Sequence, residues 1–335
     1  MQGLEKKTVL ITGATGLVGS NLVHKLLGMG DVKVIALARN MDKVEKCFSE
    51  YFENANFEYI IQDVVEPIKC EEFVDFIFHA AGPIAGKMIH NYPMEVIRPN
   101  LYGMENCLSL LYSQKKNNGK CGRLIVFSSA TVYGEYKNEN ILVHVTEENT
   151  QNAETLDGIN APYSEVKRMS EVFARAYAKQ YDVDCVIARL SYVYGYTDIS
   201  PNTAFYEFID QGLKGGKIAI KNQNMILRDN IYVDDAVKGL LLVATKGNNC
   251  ESYNISSNGE KGNYTSVDCM ATIMVRLAKE KYKLNSEIDL PSDVIYHHGI
   301  CMDNNKLKSL GWTLKTSLLD GIMATMDFMY NKIER

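Results

Sequence analysis

The stretch Val9-Leu10-Ile11-Thr12-Gly13-Ala14-Thr15-Gly16-Leu17-Val18-Gly19 decides the fold. A short apolar run ends at Thr12, glycines follow at 13, 16 and 19, and an apolar helical pattern begins at Leu17. Gly13 suits a tight turn, Gly16 lets backbone approach an anion, and Gly19 lets the new helix pack close to the strand it has just left. The helix start adds unpaired N–H groups and a partial positive charge. A glycine triplet alone is an ordinary turn. Set between the first strand and first helix of a strand-helix-strand pattern, it predicts a pyrophosphate cradle, lined by Gly13, Thr15, Gly16, Leu17 and Val18, and therefore a dinucleotide.

Outward from this turn, short apolar runs at 8–12, 32–38, 57–61, 75–79, 123–128 and 184–189 read as strands buried on both faces. Helical patterns near 17–29, 93–116 and 161–181 lie between several of them. Such alternation predicts an α/β fold: a Rossmann doubly wound parallel sheet over residues 1–189. Beyond it the pattern turns irregular, with helices near 203–214, 234–246 and 266–282 and a tail that includes 303–310. Residues 190–335 are expected to form mainly a smaller α/β substrate-binding lobe, with some segments returning to the sheet. That lobe would close over the carboxyl edge, where open α/β sheets bind ligands. The Lys-rich stretch 115–120 reads as a solvated turn.

Composition narrows the function. The chain has 335 residues, a net charge of -5 and 46% hydrophobic residues, which excludes disorder and the basic surface field of a nucleic-acid or anionic-membrane binder. Its 8 cysteines form no C-x-x-C pair, so zinc-ribbon and disulfide-framework readings fail and reduced thiols are expected. No metal site is expected, because adjacent His297 and His298 lack a third ligand. The beginning of the chain carries no apolar leader pattern and no window is long enough for a membrane span, so a cytoplasmic protein is expected.

The second strand bears on which dinucleotide binds. NAD enzymes usually carry Asp or Glu about 20 residues after the glycine turn to hold the ribose 2′-OH. Here the strand runs Val34-Ile35-Ala36-Leu37-Ala38-Arg39-Asn40, with no carboxylate. Arg39 either faces a 2′-phosphate, favouring NADP(H), or is a solvated surface residue that leaves NAD(H) open. Asp63, after the third strand and followed by Val64, either accepts from the adenine amino group or forms a turn.

Tyr163-Ser164-Glu165-Val166-Lys167 sets a phenol and an ammonium at i and i+4 on one helix face. A nearby cation is expected to lower the phenol toward neutrality and make Tyr163 a general acid/base. Leu124-Ile125-Val126-Phe127-Ser128-Ser129 is a buried strand that delivers hydroxyls to the sheet's carboxyl edge. Ser129 there either caps the strand end or polarises a substrate oxygen beside the phenol.

Together these motifs resemble the extended short-chain dehydrogenase/reductases, in particular nucleotide-sugar epimerases and reductases. The likeness runs almost end to end, through His79-Ala80-Ala81-Gly82, Asn100 with Gly103, Ser128 to Gly134, Arg189 with Val193-Tyr194-Gly195, Arg228-Asp229-Asn230-Ile231-Tyr232-Val233-Asp234-Asp235, and Leu310-Gly311-Trp312. The resemblance implies that Ser129, Tyr163 and Lys167 are catalytic, with Lys167 also on the nicotinamide ribose. It implies that Ala80, Ala81 and Gly82 line the cofactor, that Asn100 is structural, and that Arg228 contacts a substrate diphosphate. From the residues alone Arg228 also suits a phosphate, with an interlobe ion pair to Asp234 or Asp235 as the lesser alternative. A homodimer through the helices near 93–116 and 161–181 is likewise implied.

Four departures refine the expectation. Ala130-Thr131 stand where the family's dehydratases and decarboxylases carry acids. Tyr192 replaces the Asn with which epimerases touch substrate three positions after Arg189. Ser129 and Tyr163 lie 34 positions apart, more than in close relatives, with the surplus around 151–160 expected as a loop at the cleft rim. Arg39 replaces the acidic NAD signature. The expected activity is an NAD(P)-dependent nucleotide-sugar epimerase or 4-keto reductase acting at a sugar carbon, C4. The alternatives are an NADPH-dependent reductase of a non-nucleotide carbonyl, a nucleotide-sugar dehydratase or decarboxylase, and, last, a non-enzymatic dinucleotide sensor.

Overall fold

The computed structural model describes residues 3–83, 86–134 and 141–333. The chain begins β1 (Thr8–Thr12), α1 (Leu17–Leu27), β2 (Lys33–Ala38), α2 (Met41–Phe48), β3 (Phe57–Ile61) and β4 (Phe76–His79). It continues through α3 (Gly86–Asn91), α4 (Pro93–Asn118), β5 (Arg123–Ser129), β6 (Val143–Val145), α5 (Ala161–Tyr181), β7 (Asp184–Leu190) and β8 (Tyr192–Tyr194). Then follow α6 (Ala204–Leu213), β9 (Lys217–Ala219), β10 (Asn224–Tyr232), α7 (Val233–Lys246), β11 (Ser252–Ile255), β12 (Tyr264–Thr265) and α8 (Val267–Glu280). The last elements are β13 (Glu287–Asp289), β14 (Ile295–His298), β15 (Ile300–Met302), α9 (Asn305–Ser309) and α10 (Leu318–Ile333).

Seven strands form one parallel sheet in the order β11-β7-β5-β4-β1-β2-β3. The order reverses direction at β1, which puts a ligand crevice at the carboxyl ends of β1 and β4. Alternation along each strand sends side chains to two cores. Val9, Ile11, Val34 and Ala36 pack with α1 and α7, whereas Leu10, Ile35 and Leu37 pack with α4 and α5. Late segments rejoin this body: α7 packs on the α1 face and β11 pairs with β7 at the sheet edge. A smaller sheet, β12-β10-β14 with β8 beside β10, carries the remaining lobe.

The early strands lie within one residue of their expected bounds. The stretch 115–120 departs from expectation. Helix α4 runs on to Asn118 before Gly119 ends it in the left-handed region, and Lys115 is held against Asp182 at 2.5 Å. Lysines near a helix C-terminus complement its dipole, so basic charge there extends a helix as readily as it solvates a turn. Among the described residues no helix is long and apolar enough to cross a membrane.

Candidate active site

The turn after β1 is built as a backbone cradle. Gly13 sits at φ +64, and a Cβ there would fall 2.7 Å from the Ala81 amide nitrogen and 2.8 Å from the Ala80 carbonyl oxygen. The loops after β1 and β4 therefore touch through backbone, which no other residue at 13 permits. A Cβ on Gly19 would collide with the Gly13 carbonyl, so α1 packs tightly on the turn. Gly16 caps α1 with no side chain, and the first turn carries no acid, leaving the amides around Leu17 and Val18 to an anion. Thr12 Oγ1 accepts the Ala81 N–H at 3.3 Å and lies 2.8 Å from His79 Nδ1, locking the two loops together. Burial lowers the His79 imidazole to about 3, so it is a neutral strut rather than a base. Ala80, Ala81 and Gly82 border this cradle, half-buried. Such a cradle fits a dinucleotide pyrophosphate.

Arg39 and Asp63 lie at the carboxyl ends of β2 and β3, and they face each other. Arg39 Nη1 is 3.6 Å from Asp63 Oδ2, and Arg39 is 63% exposed, so the pair is weak and can open. Asp63 Oδ1 also accepts the Val65 N–H at 3.1 Å, which is the turn-forming role. Val64 is buried beside Gly103, and its carbonyl accepts from Asn106 Nδ2 at 2.8 Å.

At the end of β5, Ser129 Oγ accepts the Thr131 N–H at 3.3 Å and starts a short 3-10 turn, Ala130–Tyr133. The same hydroxyl hydrogen-bonds the Tyr163 phenol and acts to lower its pKa. Capping the turn and contacting the phenol thus coexist in one side chain. Lys167 donates to the Phe127 carbonyl at 2.7 Å, and its Nζ is 5.7 Å from the Tyr163 ring centroid. The structure brings the expected trio together.

Its electrostatics differ from the expectation. Burial pushes the Tyr163 phenol up to about 12, against the Ser129 bond that lowers it and with Tyr192 adding to the rise. Lys167 is itself brought down to about 8 by burial, where it donates to a neutral carbonyl. Spacing on a helix gave the ammonium's proximity, whereas desolvation of both groups sets the sign. The resting pair is a neutral phenol beside a weakened cation.

Arg228 lies in β10, exposed, with its guanidinium carbon 4.6 Å from the Tyr192 ring centroid. Its suggested interlobe partners are taken. Asp234 accepts from Tyr196 at 2.9 Å, and Asp235 from the Lys315 and Thr316 amides at 3.1 and 2.8 Å. Asn100 is buried and donates to the Val96 carbonyl at 2.7 Å within α4. His298 stacks on Tyr264, and among the described residues no group of three metal-binding side chains occurs.

Sequence reasoning missed what lies behind the trio. Glu171, one turn below Lys167, accepts from Ser128 Oγ at 2.6 Å and from Arg189 Nε and Nη2 at 2.8 and 2.7 Å. Arg189 also donates to Tyr133 OH at 3.1 Å and the Glu147 carbonyl at 2.7 Å. Ser128 and Ser129 point to opposite faces of β5, so fixing one aims the other. The signal was the i+8 spacing of Tyr163 and Glu171. Arg168 Nη1 ties the Val132, Thr150 and Asn152 carbonyls at 2.7, 3.2 and 3.4 Å, so the start of the 151–160 loop is anchored to the turn that holds Ser129.

The profile of the NAD dependent epimerase/dehydratase family matches residues 9–256. UDP-glucuronic acid decarboxylase 2 of Arabidopsis thaliana is 30% identical over 325 residues, covering 96% of this chain and 68% of that protein. UDP-glucuronic acid decarboxylase 6 of the same plant is 29% identical, covering 94% and 86%. The fold is that of a dTDP-glucose 4,6-dehydratase from Bacillus anthracis solved with NAD, at TM-score 0.77, 22% identity and 98% of each chain. It is also that of a UDP-glucose 4-epimerase from Thermotoga maritima solved with UDP-glucose, at TM-score 0.75, 22% identity, 97% of this chain and 99% of that one.

Proposed function

Because the chain belongs to the NAD dependent epimerase/dehydratase family, we propose that it acts on a nucleotide-activated sugar, epimerising it or reducing a 4-keto form at C4. The observation that carries this reading is the meeting of Ser129, Tyr163 and Lys167 at the sheet edge, in a chain that also exposes an Arg228 whose suggested acidic partners are occupied. A bound nicotinamide dinucleotide supplies the hydride acceptor or donor. Gly13, Thr15, Gly16, Leu17 and Val18 would hold its pyrophosphate, and Ala80, Ala81, Gly82 and Lys167 would line its far end. Arg39 favours NADP(H) once it swings from Asp63, and the same site admits NAD(H).

Tyr163 holds the proton that the sugar oxygen gains or gives up. With its phenol pushed up to about 12, the resting residue is an acid, suited to protonating the oxygen formed when a ketone is reduced. Ser129 polarises that oxygen and steadies the phenolate left behind. Lys167, brought down to about 8 yet still mainly a cation at neutral pH, supplies positive charge beside the phenolate left when Tyr163 gives up its proton. Arg228 and Tyr192 take the diphosphate side of the substrate. Helices α4 and α5 present exposed Tyr102, Met169 and Val172, which supports a homodimer through that face.

A second reading, decarboxylation or dehydration, is favoured by the decarboxylase relatives. Against dehydration stands Thr131, whose buried hydroxyl has no partner among the described residues and cannot serve as the acid that elimination of water needs. Incubating purified protein with NADPH or NAD and a panel of nucleotide sugars and 4-ketosugars separates the readings. Net NADPH oxidation marks reduction, isomerised sugar without it marks epimerisation, and carbon dioxide released from UDP-glucuronate overturns the proposal in favour of decarboxylation.

A further inference from the structure

The replacement of the epimerase Asn by Tyr192 changes how the facing cation is held. Arg228 lies in β10 and Tyr192 in β8, two strands paired in parallel with Asn230 opposite Tyr192. The guanidinium sits 4.6 Å from the ring centroid, within cation–π range. Among the described residues no ion pair to it is formed, and the acids near it in sequence are engaged elsewhere: Asp229 by Ser257 and the Met302 amide, Asp234 by Tyr196, and Asp235 by the Lys315 and Thr316 amides. Arg228 is therefore a solvent-facing cation on a long side chain. Left alone, such a chain samples many rotamers and loses that freedom on binding. Tyr192 is 47% exposed, so its ring is available as a surface rather than consumed as core.

We propose that Tyr192 is the positioning residue for Arg228, a ring platform that holds the guanidinium ready for the diphosphate of the substrate. The inference rests on the nucleotide-sugar reading and names a device specific to this chain. The ring's negative face meets one side of the planar guanidinium and leaves its edge N–H donors free for phosphate oxygens. Pre-orienting the donor raises affinity by removing an ordering cost, without touching the chemistry. Tyr192 should thus act on substrate affinity through Arg228.

Calorimetric titration of the purified full chain with UDP, dTDP, CDP and GDP tests this, the tightest binder then serving as the probe. Arg228→Ala should weaken that nucleotide most. Tyr192→Ala should weaken it about threefold to tenfold, the range of a partly exposed cation–π contact. Tyr192→Phe keeps the ring face and should bind like the parent, and adding Tyr192→Ala to Arg228→Ala should cost nothing further. In turnover, Tyr192→Ala should raise KM more than it lowers kcat, a split that general loosening of the fold would not give. Wild-type affinity in Tyr192→Ala, or a full additive loss in the double variant, overturns the platform while leaving the nucleotide-sugar reading intact. No weakening in Arg228→Ala overturns that reading, and the platform with it.

Discussion

Glu171→Ala should be among the most destabilising single changes at this site, and its size can be worked from its partners. The carboxylate is 6% exposed and Arg189 is 3% exposed, so neither charge has water to fall back on. Removing Glu171 deletes two bonds to Arg189, one to Ser128 and a 3.2 Å contact with Arg175. It leaves the guanidinium buried on neutral acceptors, Tyr133 OH and the Glu147 carbonyl. Breaking a buried pair in this way costs about 3–5 kcal/mol. Ser128→Ala removes only one hydrogen bond to a charged group and should cost about 1.5–3 kcal/mol. Equilibrium urea unfolding, followed by circular dichroism, measures both.

The pH dependence supplies a second check. Burial pushes the Glu171 carboxyl up, but Arg189's bonds and charge prevail and hold it below the usual carboxylate range. A carboxyl lowered on folding stabilises in full above its unfolded pKa of about 4.3, and that contribution fades as pH falls through the lower folded value. The gap between wild type and Glu171→Ala should be flat from about pH 8 to 5 and shrink in stronger acid. A gap below about 1 kcal/mol at pH 7, or one that widens on acidification, would refute the reasoning.

Further changes probe the front of the site. Gly13→Ala brings a Cβ within 2.7 Å of the Ala81 nitrogen at φ +64, and dinucleotide affinity measured by titration should fall at least about tenfold. Arg39→Ala should leave stability nearly unchanged, the pair with Asp63 being exposed, yet cut the preference for NADP over NAD by about tenfold or more in paired titrations. Tyr163→Phe should keep the fold and cofactor affinity while turnover drops about 10²–10⁴-fold.

Much of this was legible in sequence, for physical reasons that differ by element. The strands of the parallel sheet are buried on both faces and so read as plain apolar runs, as Leu10 and Ile11 show by entering opposite cores. The glycine turn was legible because sterics alone dictate Gly13. The Tyr163–Lys167 pairing followed from helical periodicity, but its electrostatics did not, because desolvation depends on what the tertiary fold excludes. Arg39 reached Asp63 from an adjacent strand, a neighbour that no spacing along the chain reveals. The Glu171–Arg189 pair joins a helix to a strand and took three dimensions to see.

The most direct test of the central claim is a single turnover with deuterium placed at C4 of a nucleotide sugar, or on the reduced dinucleotide where a 4-ketosugar is the substrate, followed by mass spectrometry of sugar and dinucleotide. The account predicts that deuterium passes between sugar C4 and the dinucleotide without washing into water, and that Tyr163→Phe slows this step at least about a hundredfold. Deuterium lost to solvent, or transfer at an unchanged rate in Tyr163→Phe, would contradict it.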